Sequence, residues 1–262
     1  MKISVITVCR NSEKTIERTL QSVGCQTCND FEYIVIDGVS TDRTLDIIEK
    51  YKNHITKFIS EPDKGIYDAM NKGVRMAEGE YIIFLNADDV FLHENVLSLA
   101  AEKMKNPKTD LYYGDLVFVE KDTGKINNRK QDNVNYVYLC GGMLFHPSVF
   151  AKKELFEKFG YFDTKYRIAA DYDWILNVLV KNKVSCEYLG FPITMFSDGD
   201  GASTNEANRL KHKNERKEIQ HKYFSSAFVT LSGIWYKSFR STLSLPIIKQ
   251  ILKNCFRPSK NG

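Results

Sequence analysis

The chain has 262 residues, of which 43% are hydrophobic, 12% aromatic and 27% charged. This balance is typical of a soluble globular protein and excludes disordered, collagen-like and disulfide-scaffold proteins. Six cysteines are too sparse for a disulfide framework, so we expect reduced thiols and a cytoplasmic location. The net charge of +4 is uneven: residues 211–262 carry +9 and the remainder carries −5. A basic tail on a mildly acidic body predicts an anionic partner for the tail.

The first 90 residues alternate between strand-like and helix-like segments. Apolar, β-branched runs predict strands at residues 2–8, 31–37, 57–60 and 80–85. Helical patterns lie between them at residues 12–23, 42–51 and 66–77. Strands that are apolar on both faces and alternate with helices predict a parallel sheet covered on both sides.

Polar side chains cluster where these four strands end. Right-handed crossovers bring the carboxyl ends of parallel strands to one edge of the sheet, where α/β proteins bind ligands. The residues at these ends are Thr7, Cys9, Arg10, Asn11, Asp37, Gly38, Ser40, Glu61, Asp63, Lys64, Asn86, Asp88 and Asp89. Four strand ends with such residues predict a binding site.

The second half of the chain is organised differently. We expect a β-rich region at residues 110–129 with a hairpin turn at 122–124, helices from about residue 147 and from Asp171, and a strand at 184–189. A charged helix at 206–222 follows. Aromatic and aliphatic residues then recur at helical spacing: Phe224, Phe228, Leu231, Trp235 and Phe239.

This basic, amphipathic stretch at residues 222–240 predicts peripheral contact with an anionic membrane. Packing onto the rest of the chain and self-association are the alternatives. Nucleic-acid binding is not expected, because the aromatic residues follow helical core spacing and do not form an exposed stacking platform.

Three short motifs carry candidate chemistry, and each has a structural alternative. The adjacent carboxylates in FLNADD (residues 84–89) suit either a divalent cation or a solvated turn. Asp37 could bind a nucleotide or form an Asx-turn. In AADYDW (169–174), Asp171 and Asp173 face different directions on a helix, so one could act as a general base while the other caps the helix. The structural alternative is that both are carboxylates favoured by the dipole at the start of a helix. Neither a G-x-G-x-x-G motif nor a P-loop is present, which disfavours dinucleotide oxidoreductases and P-loop enzymes.

Taken together, the motifs resemble the family 2 glycosyltransferases, which are inverting enzymes of the GT-A fold that use nucleotide sugars. The resemblance covers about residues 2–205. It rests on the segments ISVITVCRNSEKTIERTLQSV, EYIVIDGVSTDRT, SEPDKGIYDAMNKGVRMAEGEYIIFLNADD, HPSVF, GYFDTKYRIAADYDW and FSDGDGAST. The sequences of these segments are similar to those of bacterial enzymes that build surface polysaccharides.

The resemblance implies a GT-A catalytic domain at residues 1–205, with a mixed, mainly parallel sheet flanked by helices. A helical extension would then occupy residues 206–262. The implied reaction transfers a sugar, with inversion, from a UDP-linked donor to a hydroxyl of a glycan or lipid-linked acceptor. A divalent metal, Mn²⁺ or Mg²⁺, would assist. A sugar-phosphate nucleotidyltransferase and a non-catalytic nucleotide-sugar-binding protein are the alternatives.

The resemblance also implies roles for individual residues. The nucleotide-sugar site would comprise Thr7, Cys9, Asn11, Asp37, Gly38, Ser40, Asp63, Lys64, Asn86 and Ala87. Asp88 would bind the metal, Asp171 would be the general base, and His146 and Asp89 would contact donor or acceptor. Asn86 departs from the family's Asp-x-Asp motif. Its amide oxygen can still bind a ribose hydroxyl or a metal-bound water, but it contributes no charge.

Overall fold

The computed structural model describes residues 3–120, 126–132, 134–198 and 206–240, so the predicted hairpin turn at 122–124 lies outside the described residues. The strands are β1 (Ile3–Cys9), β2 (Phe31–Asp37), β3 (Lys57–Ser60), β4 (Tyr81–Phe84), β5 (Val90–Phe91), β6 (Leu111–Glu120), β7 (Ile126–Arg129), β8 (Val149–Lys152) and β9 (Cys186–Asp198). The helices are α1 (Ile16–Gly24), α2 (Thr44–Lys50), α3 (Ile66–Met76), α4 (Val96–Lys103), α5 (Tyr136–Gly141), α6 (Lys153–Phe159), α7 (Ala170–Leu176), α8 (Glu206–Tyr223) and α9 (Ser226–Arg240).

The strands form one mixed sheet in the order β3-β2-β1-β4-β8-β6-β9-β5, and β7 pairs with β6 beside this path. Strands β1 to β4 run parallel, as the alternation of strands and helices predicted. Strand β8 runs antiparallel to both of its neighbours, β4 and β6. The expected α/β fold with a mixed sheet flanked by helices is confirmed.

The predicted helix from residue 147 is wrong. His146–Ser148 is a single 3₁₀ turn, Val149–Lys152 is strand β8, and the helix begins only at Lys153. Val149 and Phe150 are good strand formers, and they pair with Tyr113 and Tyr112 of β6. The predicted strand at 184–189 is correct in place, but β9 continues to Asp198.

Two hydrophobic cores lie on opposite faces of the sheet. Ile6 and Ile34 pack with Met70 of α3 on one face, whereas Val5 packs with Leu20 of α1 on the other. Neighbouring strand residues therefore alternate between the two cores, as parallel strands covered on both faces require. This burial makes the sheet a rigid platform for the loops that follow β1 to β4.

Helices α8 and α9 contact the body of the protein. Ile219 of α8 is fully buried in the same core as α7, and the Ser232 hydroxyl of α9 lies 3.0 Å from the Cys140 sulfur of α5. Leu231 and Ile234 are exposed, while the side chains of Trp235 and Phe239 lie outside the description. Among the described residues, we find no helix with the length and apolarity that crossing a bilayer requires. The domain boundary at residue 205 stays a prediction.

Glu32 of β2 is a buried carboxylate that anchors the turn before β4. It accepts hydrogen bonds from the Ser4 hydroxyl and from the backbone N–H groups of Glu78 and Gly79, and it pairs with Lys57 at 3.2 Å. Burial alone would raise the pKa of Glu32, but these hydrogen bonds outweigh it and lower the pKa to about 2. The folded pKa lies below the unfolded value, so the stabilisation is complete above about pH 5 and is lost as the pH falls towards 2.

We expect Glu32→Gln to lower the free energy of unfolding by about 2 kcal/mol at pH 7, because the amide removes the buried charge that these donors stabilise. With its oxygen in place of Oε1, its N–H groups also point towards the Lys57 ammonium. Urea denaturation at several pH values measures this difference, which should narrow as the pH falls below about 4. Glu78→Gln is the matched control: this exposed side chain also pairs with Lys57, and its loss should cost less than about 0.5 kcal/mol. A pH-independent loss in Glu32→Gln would contradict the assignment.

Candidate active site

A cleft of about 920 Å³ opens at the carboxyl ends of β1 and β4, beside the start of α7. It brings together eight of the predicted site residues: Cys9, Asn11, Asp63, Asn86, Ala87, Asp88, His146 and Asp171. The other six do not line it: Thr7, Asp37, Gly38, Ser40, Lys64 and Asp89. The predicted gathering of strand ends therefore exists, but not every polar residue at those ends faces the cavity.

Asn11 links the loops that follow β1 and β2. Its backbone N–H donates to the Ser40 hydroxyl, and its side-chain oxygen accepts the Thr41 N–H, each at 2.8 Å. Asn11 adopts a φ of +51°, in the left-handed region that asparagine tolerates better than most residues. The two loops thus form one wall of the cleft, with Cys9 and Asn11 on its surface.

Thr7 and Asp37 are fully buried behind this wall and stabilise it through hydrogen bonds. The Thr7 hydroxyl donates to the Leu85 carbonyl at 2.6 Å, which ties β1 to the end of β4. Asp37 accepts the Ser60 hydroxyl at 2.6 Å and both the hydroxyl and the N–H of Ser40. These bonds hold strand ends together. A direct contact of Thr7, Asp37 or Ser40 with a nucleotide stays a prediction.

Cys9 is held by the same network. Burial and the nearby Asp37 carboxylate raise the pKa of its thiol, so the thiol stays protonated and points towards Asp37 Oδ1 at 3.6 Å. Cys9 therefore offers the cleft a small apolar surface and no nucleophile.

The approach of Asp63 explains why residue 38 is glycine. A Cβ at Gly38 would lie 2.1 Å from Asp63 Oδ2, so any side chain would displace this carboxylate. The Gly65 N–H donates to Asp63 Oδ1 at 2.8 Å, and Gly65 itself adopts a φ of +126°. Lys64 has an exposed side chain, and its carbonyl accepts a hydrogen bond from the Arg167 guanidinium. This turn presents Asp63 to the cleft and leaves Lys64 at its rim.

Asp171 lies at the start of α7 with only 4% of its surface exposed. Its Oδ2 is 2.9 Å from His146 Nδ1, and its Oδ1 accepts the Tyr67 hydroxyl and the Tyr172 N–H, each at 2.9 Å. Burial alone would raise the pKa of Asp171, but the hydrogen bonds from His146 and Tyr67 outweigh it and lower the pKa. The carboxylate is therefore ionised at neutral pH.

The tautomer of His146 follows from its two neighbours. Because ionised Asp171 only accepts hydrogen bonds, His146 Nδ1 carries the proton and Nε2 offers a lone pair. Asn86 Nδ2 lies 3.1 Å from this Nε2 and donates to it. The Asn86 amide is thereby oriented so that its buried Oδ1 has no hydrogen-bond partner among the described residues. An aspartate at position 86 could not donate to His146, so asparagine matches this histidine.

Asp173 has different contacts from Asp171, as their spacing on the helix predicted, but the predicted helix cap is wrong, because the N-cap of α7 is Ala169 and no side chain caps it. Its two carboxylate oxygens lie 2.9 and 3.0 Å from the Lys222 ammonium of α8. Asp173 therefore joins α7 to α8 and does not line the cleft.

Comparison with known proteins assigns the chain. Residues 4–169 match the sequence profile described as Glycosyl transferase family 2. The chain belongs to this glycosyltransferase family. One relative, the PGL/p-HBAD biosynthesis glycosyltransferase of Mycobacterium bovis (strain BCG / Pasteur 1173P2), is 29% identical over 204 residues, which cover 76% of this chain and 78% of the relative.

Solved structures share the fold of this family 2 glycosyltransferase. S. aureus TarS 1-349 in complex with UDP has a TM-score of 0.67 and 21% identity, covering 93% of this chain and 73% of that one. A further structure of S. aureus TarS 1-349 matches 75% of this chain, which spans 60% of the length of that one. The mannosyltransferase PcManGT from Pyrobaculum calidifontis, in complex with GDP-Man and Mn²⁺, has a TM-score of 0.61 and 18% identity. The match covers 97% of this chain and 79% of that one. These similarities confirm the GT-A fold.

The family implies a divalent metal, and the donor groups at the end of β4 fit one. The described residues contain no cluster of three or more His, Cys, Asp or Glu side chains that could hold an ion alone. Mg²⁺, however, is often bound by one or two carboxylates together with substrate phosphates and water. Asp88 on the cleft wall and the unpartnered Oδ1 of Asn86 provide such a partial set.

Asp89 is not part of this partial set. It is fully buried, and neither of its carboxylate oxygens has a partner among the described residues. Burial and the adjacent Asp88 charge raise the pKa of Asp89 well above its ordinary value. Its predicted contact with a substrate stays a prediction.

Tyr67 and Arg167 line the cleft and were missed by the sequence analysis. Tyr67 lies in the segment GIYDAMN, where it resembles a core aromatic of an amphipathic helix, and its hydroxyl gave no separate signal. Arg167 lies in the motif before Asp171. Its contact with Lys64 joins residues about one hundred positions apart, which no local pattern reveals.

Proposed function

We propose that this glycosyltransferase transfers a sugar from a UDP-linked donor to a hydroxyl of a glycan or lipid-linked acceptor, with inversion. The observation that carries the proposal is the shared cleft, in which ionised Asp171 lies in the same cavity as Asp63 and Asp88. Asp63 and the wall after β1 would receive the nucleoside, Asp88 the diphosphate, and Asp171 the acceptor hydroxyl.

The hydrogen bonds of Asp171 favour Oδ2 as the oxygen that takes the proton. Oδ1 already accepts two hydrogen bonds, from Tyr67 and Tyr172, whereas Oδ2 accepts one, from His146. A carboxylate offers about four acceptor sites, so Oδ2 keeps one for the acceptor hydroxyl. As the acceptor oxygen bonds to the anomeric carbon, its proton passes to Oδ2. The bond from that carbon to the diphosphate breaks, and its electron pair leaves with the diphosphate. One displacement inverts the centre.

Asp88 and the amide oxygen of Asn86 would hold the divalent metal together with the diphosphate. When bound, such a metal supplies positive charge that stabilises the leaving group. The Mn²⁺ in the PcManGT complex supports this proposal. His146 is hydrogen-bonded to both Asn86 and Asp171. The proposed metal ligand and the proposed base therefore belong to one hydrogen-bonded chain.

The donor and acceptor classes have separate support. UDP is bound by TarS, which shares this fold, and this favours a UDP-linked donor. The mycobacterial relative is named for PGL/p-HBAD biosynthesis, which favours a biosynthetic role. Phe118 and Phe196 stack with ring centres 5.8 Å apart and line the cleft, where they offer a flat apolar surface to an acceptor. The cytoplasmic location and membrane contact through residues 222–240 stay predictions.

Donor binding tests the proposed function directly. We expect UDP and one UDP-sugar to raise Tm in the presence of Mn²⁺, since ligand at 100 times its Kd adds about 2.7 kcal/mol of stability. Thermal unfolding with UDP-, GDP- and dTDP-sugars, each with and without Mn²⁺, measures this. Equal stabilisation by all three nucleotides would overturn the UDP assignment. No stabilisation by any of them would favour a non-catalytic protein.

A further inference from the structure

Helix α8 is expected from its sequence to be an appendage, yet its contacts gather around the segment that carries Asp171. Ile219 is fully buried in the core that includes α7. Lys222 pairs with Asp173, and the Tyr166 hydroxyl lies 3.0 Å from the Glu218 carboxylate. The helix also contributes His212 to the lining of the cleft. Helix α8 therefore belongs physically to the surroundings of the site.

Glu215 makes the most specific of these contacts. Its Oε1 accepts the Arg167 N–H at 2.9 Å, and its Oε2 accepts the N–H groups of Ile168 and Ala169 at 2.9 and 3.1 Å. A single carboxylate, 8% exposed, thus binds three consecutive backbone N–H groups directly before α7. Hydrogen bonds to an ionised acceptor are among the stronger ones in proteins, so this segment is firmly held.

The same backbone is held from its other side by Tyr67. The Tyr67 hydroxyl lies 2.8 Å from the Ile168 carbonyl oxygen and 2.9 Å from Asp171 Oδ1. Glu215 therefore holds Ile168 through its N–H, and the single Tyr67 hydroxyl proton, shared between two acceptors, links the Ile168 carbonyl to Asp171 Oδ1. Asp171 follows only three residues later, so the backbone that precedes the carboxylate has little freedom.

Helix α8 also reaches the segment that leads to His146. Arg216 Nη2 donates to the Gly142 carbonyl at 2.7 Å, and its guanidinium lies 4.1 Å from the centre of the Tyr172 ring. One helix thus contacts both chain segments whose side chains form the Asp171–His146 hydrogen bond.

We propose that Glu215 is a positioning residue for the general base. It fixes residues 167–169 so that Asp171 Oδ2 meets both His146 and the acceptor hydroxyl, and it does so without lining the cleft itself. The inference rests on the proposed function, because it requires Asp171 to be the base. A purely structural role, in which Glu215 only stabilises the fold, is the alternative.

Glu215→Gln tests the proposal, because no orientation of an amide can offer acceptors on both sides. We expect kcat to fall about 10- to 100-fold, as small misplacements of reacting groups do, while donor KM and donor affinity change less than about twofold. In an Asp171→Asn background, Glu215→Gln should cause no further loss of kcat, because both changes act through one group. Glu218→Gln is the control on the same helix and should keep wild-type kcat.

Three results would overturn the proposal: wild-type kcat in Glu215→Gln, an additive loss on the Asp171→Asn background, or parallel losses of kcat, donor affinity and Tm. If Glu215→Gln does not fold, Glu215→Asp keeps the buried charge with a shorter reach. It should then give an intermediate kcat with unchanged donor affinity, and unchanged kcat would overturn the proposal. Normal turnover in Asp171→Asn alone would overturn the base assignment as well, which separates the two failures.

Discussion

Asp171→Asn is expected to lower kcat by about 10²- to 10⁴-fold, because the acceptor hydroxyl loses the group that takes its proton. The fold should persist. The Asn amide can keep its oxygen towards His146, and its nitrogen then lies beside the Tyr67 hydroxyl, which donates to the Ile168 carbonyl alone. The Tyr172 N–H loses its acceptor in this arrangement, which costs some stability but no contact of His146. His146 and Asn86 keep their arrangement, so donor affinity should change little. Steady-state kinetics and donor titration measure the two quantities separately.

Asp173→Asn is the matched control for this change. Asp173 lies two residues further along α7 and is also buried, but it pairs with Lys222 and does not line the cleft. We expect a modest loss of stability with kcat within about twofold of wild type, since no contact of the base is altered. Near-normal turnover in Asp171→Asn, or an equal loss in both variants, would contradict the assigned base.

The pH profile reports on the same carboxylate. A base must be ionised to act, so kcat is retained above the pKa of Asp171 and lost as the pH falls through it. Because His146 and Tyr67 lower that pKa, the acid limb should lie below the ordinary range for aspartate. Removing one of these hydrogen bonds with Tyr67→Phe should move the acid limb to higher pH.

Asp88→Asn is expected to weaken Mn²⁺-dependent donor binding by about 100-fold or more, since even residues that only support metal ligands cost 10- to 100-fold. The effect should appear in donor KM and should be partly relieved by high Mn²⁺. The loss of charge is decisive here, because the neighbouring Asn86 contributes only an amide oxygen. Donor titration at several Mn²⁺ concentrations provides the measurement.

Asp89→Asn is the control for the metal assignment. Its carboxyl group is fully buried next to Asp88 and does not line the cleft, so the Mn²⁺ dependence should stay at the wild-type level. If Asp89→Asn changed the Mn²⁺ dependence and Asp88→Asn did not, the two residues would have been assigned the wrong way round.

The strands β1 to β4 could be predicted because their signal is local. Each is a short apolar run followed by polar residues, and parallel topology places their ends together. Strand β8 could not, because Val149 and Phe150 become a strand only by pairing with Tyr112 and Tyr113, more than thirty residues earlier. Local pattern favoured a helix there, and the long-range pairing overrode it.

Within the site, the sequence indicated which residues gather but not which of them face the cavity. Asp37 ends a strand, as a ligand-binding carboxylate would, yet its oxygens accept hydrogen bonds from the Ser40 and Ser60 hydroxyls. Glu215 shows the opposite case. In a charged helix it resembles an ordinary solvated side chain, and only its contact with residues 167–169 distinguishes it from Glu218.

The contact between α8 and the start of α7 changes how this chain can be cut and recombined. A fragment that ends at residue 205 would strip the acceptor from three backbone N–H groups and uncover the core around Ile219. Chimaeras that exchange parts between family members should therefore place no junction between the start of α7 and the end of α8 at Tyr223. In such exchanges, α8 stays with the loop that carries Asp171.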